Sequence, residues 1–277
     1  MIELDVNDAT SKPHLRQGFG GHSQLMWNND PKKTAWKGKV GVWYKKTVGV
    51  EGSYYHQHVI LPNALRLLNL QPGEKVLDFG CGQGVLGRKI EDEYLGVDLS
   101  ADLIKEAKSL DKNLKHSYVI DDVCKELKIY GTFDKGAMIL ALQNVKKPFG
   151  AIKNFSKLLK TGGELVLVIN HPAFRIPKHS DWEVKEDVQI RTLDSYMSPL
   201  EIPIESSPFD KRDNQISFSY HYPISAFSEM LFNNGFLIEK MEEWISDKKS
   251  EGGKAEIEDR ARAEFPLFLA IKAIKNG

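Results

Sequence analysis

The sequence predicts an α/β fold, in which strands and helices alternate along the chain. A short apolar run at Val76-Leu77 precedes a glycine-rich turn, and Val85 to Ile90 then begin a helix. Further apolar runs follow, and segments with helix signals separate them. Alternation of this kind is typical of a mostly parallel sheet with helices on both faces.

The chain is organised around the stretch from Glu74 to Gly87. Asp78 ends the first strand, and three glycines follow at alternate positions: Gly80, Gly82 and Gly84. Glycine lets the backbone turn sharply and lets a ligand lie against it without a Cβ in the way. The helix start beside the turn offers unpaired N–H groups. Together these features predict a nucleotide-binding turn.

The same turn leaves the kind of nucleotide open. Residues 82–87 satisfy G-x-G-x-x-G, the pattern of dinucleotide-binding proteins, so an NAD-dependent dehydrogenase is one alternative. Asp78 argues against it, because a carboxylate is badly placed against an anionic pyrophosphate. An acid there suits a ligand with an ammonium group, such as the methionine part of S-adenosylmethionine.

Residues 76–84 resemble the first motif of class I S-adenosylmethionine-dependent methyltransferases, in particular their type 11 branch. Residues 158–165 are similar to that family's turn into its fifth strand. The resemblance covers residues 72–167 well and does not reach residues 1–40 or 175–215. It implies S-adenosylmethionine as cofactor. It also implies a Rossmann-like sheet of about seven strands, mostly parallel, with helices on both faces and an antiparallel last strand.

Composition limits the function classes. The chain has 277 residues and 38 residues of each charge sign, so a nucleic-acid partner is disfavoured. Two cysteines make no disulfide framework. Cys81 fits the glycine turn as a small structural residue and, as part of that turn, is also a candidate cofactor contact. No segment resembles a signal peptide or a membrane span, which predicts a cytoplasmic protein without membrane contact.

Residues 1–58 are expected to form an arm and a lid ahead of the main domain, residues 59–277. The arm carries lysines between positions 32 and 46, interleaved with aromatic residues. They would suit RNA, although a solvated face is the simpler interpretation. In the related family this region folds over the cofactor, so Tyr44, Tyr54 and Tyr55 are candidate cofactor contacts and His56 a candidate substrate contact. Ordinary helix-edge packing is the alternative. A metal at His56 and His58 is rejected, because on a helix the two point to different sides.

Acids at strand ends supply the next candidates. After an amphipathic helix at 59–70, the run 93–98 predicts a second strand that ends at Asp98, followed by Leu99. A carboxylate there can accept both ribose hydroxyls with paired hydrogen bonds. The alternative is a helix cap, although Ser100 already suits that role for the helix 101–109.

The third and fourth strands predict the adenine side of the site. A strand at 116–120 leads to Asp121, Asp122 and Val123. The resemblance implies that one of the two acids holds the adenine amino group, with Asp122 aligning better, and that Val123 lines the ring. Leu140 and Asn144 follow the fourth strand, 133–142, where ligands bind in open α/β sheets. Many relatives have a histidine pair there, whereas this chain has Gln143-Asn144.

Candidate catalytic and substrate residues follow the fifth strand, 164–169. His171 is the first candidate base, and Arg175 is placed to bind an anionic substrate. A histidine that caps the strand end is the alternative. An insertion at about 172–222 is expected to build the acceptor pocket. Its strand 216–222 carries His221, a second candidate base, and Tyr222, a candidate substrate contact.

The remaining chain predicts a helix at 225–233 and strands at 236–244 and 265–274, which close the sheet. The leading hypothesis is methyl transfer from S-adenosylmethionine to a small organic molecule, by in-line attack on the sulfonium methyl. RNA methylation and non-catalytic S-adenosylmethionine binding are the alternatives. The sequence identifies neither the acceptor nor the oligomeric state.

Overall fold

The computed structural model describes residues 48–205 and 216–277. The candidate Tyr44 and the lysine-rich part of the arm lie outside the described residues. The division at residue 58 stays a prediction.

Eleven strands and five helices form the described part of the chain, together with a π-helical turn at His56–Ile60 and 3₁₀ turns at Gly87–Lys89 and Leu142–Asn144. The helices are α1 (Leu61–Leu68), α2 (Ala101–Leu110), α3 (Pro148–Leu158), α4 (Ile224–Phe232) and α5 (Ala255–Glu264). The strands are β1 (Val76–Phe79), β2 (Tyr94–Asp98), β3 (His116–Ile120), β4 (Phe133–Ile139), β5 (Leu159–Asn170), β6 (Ser180–Lys185), β7 (Val188–Leu193), β8 (Leu200–Glu205), β9 (Ile216–His221), β10 (Phe236–Trp244) and β11 (Phe268–Lys275).

Seven of these strands form one sheet in the order β10-β11-β5-β4-β1-β2-β3. Strands β1 to β5 pair in parallel, and β11 runs antiparallel to both β5 and β10. The predicted fold class is therefore confirmed, including the antiparallel last strand.

The strand periodicity explains why helices cover both faces. Successive side chains of a strand point to opposite faces of the sheet. Val76 and Val166 accordingly pack in one buried cluster with Ile60 and Leu68, and Leu77 packs in a second cluster beyond the sheet. Both faces are apolar, so β1 is buried along its whole length. This burial leaves the strand ends, rather than the strand faces, available to a ligand.

The segment after the glycine turn departs from the prediction. A helix from Val85 to Ile90 was expected, but the chain forms turns and then only the 3₁₀ turn Gly87–Lys89. Gly84 and Gly87 pack directly against Tyr118, and a Cβ on either would lie 2.6 Å from its hydroxyl oxygen. Close packing against a side chain of β3 therefore overrides the local helix pattern.

The predicted turn at 160–163 is also absorbed into a strand. β5 begins at Leu159, and residues 160–163 bulge between the pairs Phe133–Leu159 and Lys135–Glu164. The bulge re-aligns β5 with β4 before the buried part of the strand begins.

The chain between β5 and α4 forms two antiparallel ribbons, β6–β7 and β8–β9. The predicted strand at 216–222 is present as β9. Its polar face is the buried one, with Ser217 and His221 enclosed and Phe218 exposed. The ribbon β8–β9 thus encloses His221 against the body of the protein.

In the two described ranges, no helix combines the length and the apolar character that crossing a membrane requires.

Candidate active site

The candidate residues meet at one edge of the sheet, where the parallel strands end. Asp78 and Gly80 lie at the end of β1, Asp98 at the end of β2, Leu140 after β4 and Asn170 at the end of β5. In open α/β sheets this carboxyl edge is where ligands bind.

The glycine turn needs glycine for both conformation and space. Gly80, Gly82 and Gly84 have φ of +69°, +55° and +73°, a region that other residues rarely adopt. A Cβ on Gly80 would overlap the Cβ of Ala141. The amide of Gly80 donates to the Val97 carbonyl at 2.7 Å, which ties the turn to β2. Cys81 is buried in the turn, and burial raises the pKa of its thiol.

Asp78 is a buried carboxyl with one unused oxygen. Its Oδ2 accepts a hydrogen bond of 2.6 Å from the Tyr94 hydroxyl, whereas Oδ1 is enclosed and has no partner among the described residues. Burial raises the pKa of Asp78 to about 7, against the lowering effect of Tyr94, and the charge of Asp98 raises it further. A cationic ligand group is the partner that would satisfy this oxygen and stabilise its charge.

Asp98 links β2 to the glycine turn. Its Oδ2 accepts from the Gly82 amide at 2.9 Å, and its Oδ1 accepts from the Ser100 amide at 2.8 Å. Burial raises the pKa of Asp98, and these backbone donors lower it. An ionised carboxylate can accept about four hydrogen bonds, so capacity remains for a ligand hydroxyl. The predicted helix cap is present separately, since Ser100 Oγ accepts from the Leu103 amide.

The paired acids after β3 differ in burial. Asp122 is buried and its Oδ1 accepts from the Cys124 amide at 3.0 Å, whereas Asp121 is half-buried and accepts from the Asp122 amide at 2.8 Å. Val123 is buried against the second core cluster. The preference for Asp122 and Val123 at the adenine stays a prediction.

The exit of β4 is strained. Leu140 has φ of +51°, which is unusual for a leucine and typical of functional sites. Its carbonyl accepts from the side-chain amides of Gln143 and Asn144, at 2.9 and 3.2 Å. These bonds hold the exit in its conformation. In the part of the chain that the structure describes, Gln143 Oε1 is buried and has no hydrogen-bond partner. The sequence did not reveal this, because Gln143 was considered only as the replacement of a histidine.

The segment before α1 contacts the glycine turn. The side chain of Gln83 binds the Gly49 carbonyl, and Arg88 binds the carbonyl of Val50. Leu99, beside Asp98, is half-buried. Nδ1 of His56, a predicted substrate contact, shares a hydrogen bond of 2.8 Å with the Ser53 hydroxyl. Burial lowers the pKa of His56.

Tyr54 and Tyr55 contact the loop that follows β10. Their hydroxyls bind Asp247 and Ser246, at 3.1 and 3.2 Å, and Lys248 Nζ lies 4.5 and 5.1 Å from the two ring centroids. The tyrosines therefore hold a lysine cation between this segment and the loop.

His171 is enclosed at the end of β5, with both ring nitrogens engaged. Nδ1 accepts from the amides of Ala173 and Phe174, at 3.2 and 3.3 Å, so Nε2 carries the proton and donates to Glu243 at 2.7 Å. Burial lowers the pKa of His171, and Glu243 acts in the opposite direction. The expected base thus has no free nitrogen here, and its geometry is that of a histidine that orders the turn after the strand.

His221 has a different arrangement. Its Nε2 donates to the Tyr196 carbonyl at 2.7 Å, and no hydrogen bond to Nδ1 occurs within the described ranges. Burial lowers its pKa, which keeps the ring neutral at pH 7 with Nδ1 as acceptor.

One cleft brings several predicted residues together. His221, Tyr222 and Arg175 line it, with Gln143 and Asn170 from the ends of β4 and β5. The Tyr222 hydroxyl donates to the Lys146 carbonyl at 3.1 Å and is therefore already engaged within the protein. The insertion therefore joins the carboxyl edge of the sheet, a contact that the chain order alone did not reveal.

Part of the chain is similar to known methyltransferases. A family model described as a methyltransferase domain matches residues 77–165. A ubiquinone biosynthesis O-methyltransferase of Xanthomonas campestris pv. campestris (strain B100) is 33% identical over 104 residues, 35% of this chain and 43% of that protein. One from Coxiella burnetii (strain Dugway 5J108-111) is 34% identical over 116 residues, 39% of this chain and 50% of that protein. The chain thus spans about half the length of these curated relatives.

Solved structures match over more of the chain. An S-adenosylmethionine-dependent methyltransferase from Mesorhizobium loti aligns with a TM-score of 0.61 and 25% identity, over 76% of this chain and 96% of that one. Another, from Clostridium acetobutylicum ATCC 824, aligns with a TM-score of 0.55 and 18% identity, over 86% of this chain and 98% of that one. At this identity the match shows a similar fold.

Substituting Gly80→Ala should destabilise the glycine turn for two separable reasons, its positive φ and the overlap with Ala141. Gly73→Ala is the matched control, because Gly73 has φ of +83° but open space around it. Denaturant unfolding should show a loss of roughly 1 kcal/mol for Gly73→Ala and about 2–4 kcal/mol for Gly80→Ala. Adding Ala141→Gly should recover part of the loss, and equal losses for both single variants would refute the packing argument.

Proposed function

Because the chain belongs to the class I S-adenosylmethionine-dependent methyltransferases, we propose that it transfers the donor's methyl group to a small organic molecule. The single observation that carries the cofactor side of the proposal is the unpartnered, buried Oδ1 of Asp78.

The residues at the carboxyl edge fit S-adenosylmethionine. Its ammonium group would satisfy Asp78 Oδ1, which otherwise remains a desolvated acceptor without a donor. The glycine turn leaves backbone exposed beside it, and Asp98 has acceptor capacity for ribose hydroxyls. A pyrophosphate would instead place negative charge near two carboxyl groups, which disfavours NAD.

The bound cofactor would supply a methyl group on a positively charged sulfur, which is already electrophilic. The chain's own task is then to align a nucleophile and to exclude water. The strained exit at Leu140 and the buried turn at His171 supply fixed walls for this purpose. A base is needed only where the acceptor carries a proton of high pKa.

His221 is the better base in this proposal. It lines the cleft and keeps Nδ1 as a free acceptor, whereas His171 uses both ring nitrogens in bonds to Glu243 and the backbone. Nδ1 of His221 would take a proton from the acceptor's nucleophile, and the bond from Nε2 to Tyr196 would hold the ring in place.

The small-molecule acceptor is supported by the curated relatives, whose names describe O-methyltransferases of ubiquinone biosynthesis. The zero net charge of the chain gives no electrostatic support for RNA. The lysine-rich arm that suggested RNA lies outside the described residues.

Calorimetric titration tests the cofactor directly. We expect S-adenosylmethionine and S-adenosylhomocysteine to bind with micromolar affinity and NAD not to bind. Asp98→Ala should weaken the two sulfur ligands by about 1–3 kcal/mol, because charged hydrogen bonds are lost. The matched control is Asp187→Ala, at an exposed acid between β6 and β7. Binding of NAD alone, or an Asp98→Ala affinity equal to that of Asp187→Ala, would contradict the assignment.

Cofactor binding at pH 7 should release protons from Asp78. Burial raises the pKa of this carboxyl to about 7, so it holds protons at this pH, and a neighbouring ammonium favours the carboxylate, so its pKa falls on binding. The released protons appear as a dependence of the binding enthalpy on the ionisation enthalpy of the buffer. Asp78→Asn should abolish this release, and the same release in both proteins would remove Asp78 from the ammonium site.

The two histidines should separate kinetically. With an acceptor found by screening small metabolites for S-adenosylhomocysteine formation, His221→Asn should lower kcat roughly 100-fold and leave cofactor affinity unchanged. His171→Asn should mainly lower the free energy of unfolding, because Glu243 and two amides lose a buried partner. Normal turnover of His221→Asn would exclude it as the base. A protein that binds cofactor but turns over no acceptor would favour a non-catalytic role.

A further inference from the structure

We propose that the methyl acceptor is a small carboxylic acid whose methylated group is a hydroxyl or an amine, and that Arg175 binds its carboxylate. This inference rests on the proposed function and names the substrate class of the same cleft. Three groups in the cleft support it. Among the described residues, Arg175 has no counter-ion, and Gln143 Oε1 and His221 Nδ1 have no hydrogen-bond donor.

Among the described residues, the half-buried cation Arg175 has no counter-ion. Its Nη1 donates to Asn170 Oδ1 at 3.0 Å, and its guanidinium lies 5.4 Å from the Phe268 ring centroid. No carboxylate of the described residues lies within ion-pair distance of it, although a guanidinium has five N–H donors. Burial lowers the pKa of Arg175, which marks the cost of keeping this charge out of water. A ligand carboxylate would offset that cost with paired hydrogen bonds.

The surroundings add positive rather than negative charge. Arg191 also lacks an ion pair among the residues described, since its donors bind the Phe174 carbonyl at 2.8 Å and Ser180 Oγ at 2.7 Å. Its charge further lowers the pKa of Arg175. Glu201, an acid near Tyr222, is bound to Lys146 at 2.7 Å. Among the described residues, the charged side chain that acts on Arg175 is therefore a second arginine rather than an acid.

Two acceptors in the same cleft call for a ligand that also donates. Gln143 Nε2 binds the Leu140 carbonyl, which fixes the amide orientation and leaves Oε1 as a buried acceptor without a donor. His221 Nδ1 is the second acceptor. A carboxylate alone would leave both unsatisfied, whereas a neighbouring hydroxyl or amine would donate to them.

The transfer balances with these groups. The acceptor's O–H or N–H bond breaks and its proton passes to His221 Nδ1. The electron pair left on oxygen or nitrogen forms the bond to the methyl carbon, while the sulfonium C–S bond breaks and its pair stays on sulfur. His221 afterwards loses the proton to solvent.

Calorimetry on the full chain saturated with S-adenosylhomocysteine tests the inference. The probes are benzoate, salicylate and mandelate, their neutral amides, and phenyl phosphate. We expect the carboxylates to bind at least tenfold more tightly than their amides, and salicylate or mandelate more tightly than benzoate. Arg175→Gln should weaken the carboxylates at least tenfold and Arg175→Lys less. Arg260→Gln, at an exposed arginine of α5, is the matched control for the lost charge.

Unchanged S-adenosylhomocysteine affinity shows that each variant has folded around the cofactor site. The inference would be overturned if acids and amides bound equally, if no carboxylate bound, or if phenyl phosphate bound more tightly than every carboxylate. It would also be overturned if the carboxylate affinities of Arg175→Gln equalled those of Arg260→Gln. Failure of the proposed function looks different, because S-adenosylhomocysteine itself would then not bind to the wild type.

Discussion

The buried carboxyl of Asp78 is the constraint on which the site depends. It receives one hydrogen bond, from Tyr94, and burial holds its pKa near neutrality. Tyr94 in turn packs against Tyr118, with ring centroids 5.6 Å apart, and Tyr118 occupies the space that side chains at Gly84 and Gly87 would need. The glycines, the turn and the second and third strands are therefore arranged around one desolvated acid. Such an arrangement is costly without a cationic partner, which is why it indicates a ligand site.

A second buried polar group secures the outer side of this arrangement. Tyr118 donates to Asp111 at 2.5 Å, and Asp111 also binds His116 at 2.7 Å. The side chains of Asp111 and His116 are almost fully enclosed. The hydrogen bond to Asp111 restrains the ring of Tyr118, so the glycine turn packs against a side chain that is held in one position. Rigidity of this kind is what a site needs when its chemistry is mainly alignment.

The sequence predicted the sheet well because clear turn signals bound its strands and its central strands are apolar runs. Strands β3 and β10 have the predicted bounds. The helix at 85–90 failed because its competitor, Tyr118, lies more than 30 residues further along the chain. His171 was ranked above His221 for a similar reason: its partner Glu243 is 72 residues away. The ribbon that carries His221 to the sheet edge has no local signal, and neither does the unpaired oxygen of Gln143.

The side chains of Gln83 and Arg88 donate hydrogen bonds to the carbonyls of Gly49 and Val50, which lie ahead of α1. These donors lie on the glycine turn, yet their acceptors precede the first helix of the sheet domain. A recombinant core trimmed to start at α1 would keep every sheet strand and still lose those acceptors, with Arg88 Nε already enclosed and unbonded. The residues that the glycine turn needs therefore extend ahead of α1, and deletion variants should begin before Gly49 rather than at α1.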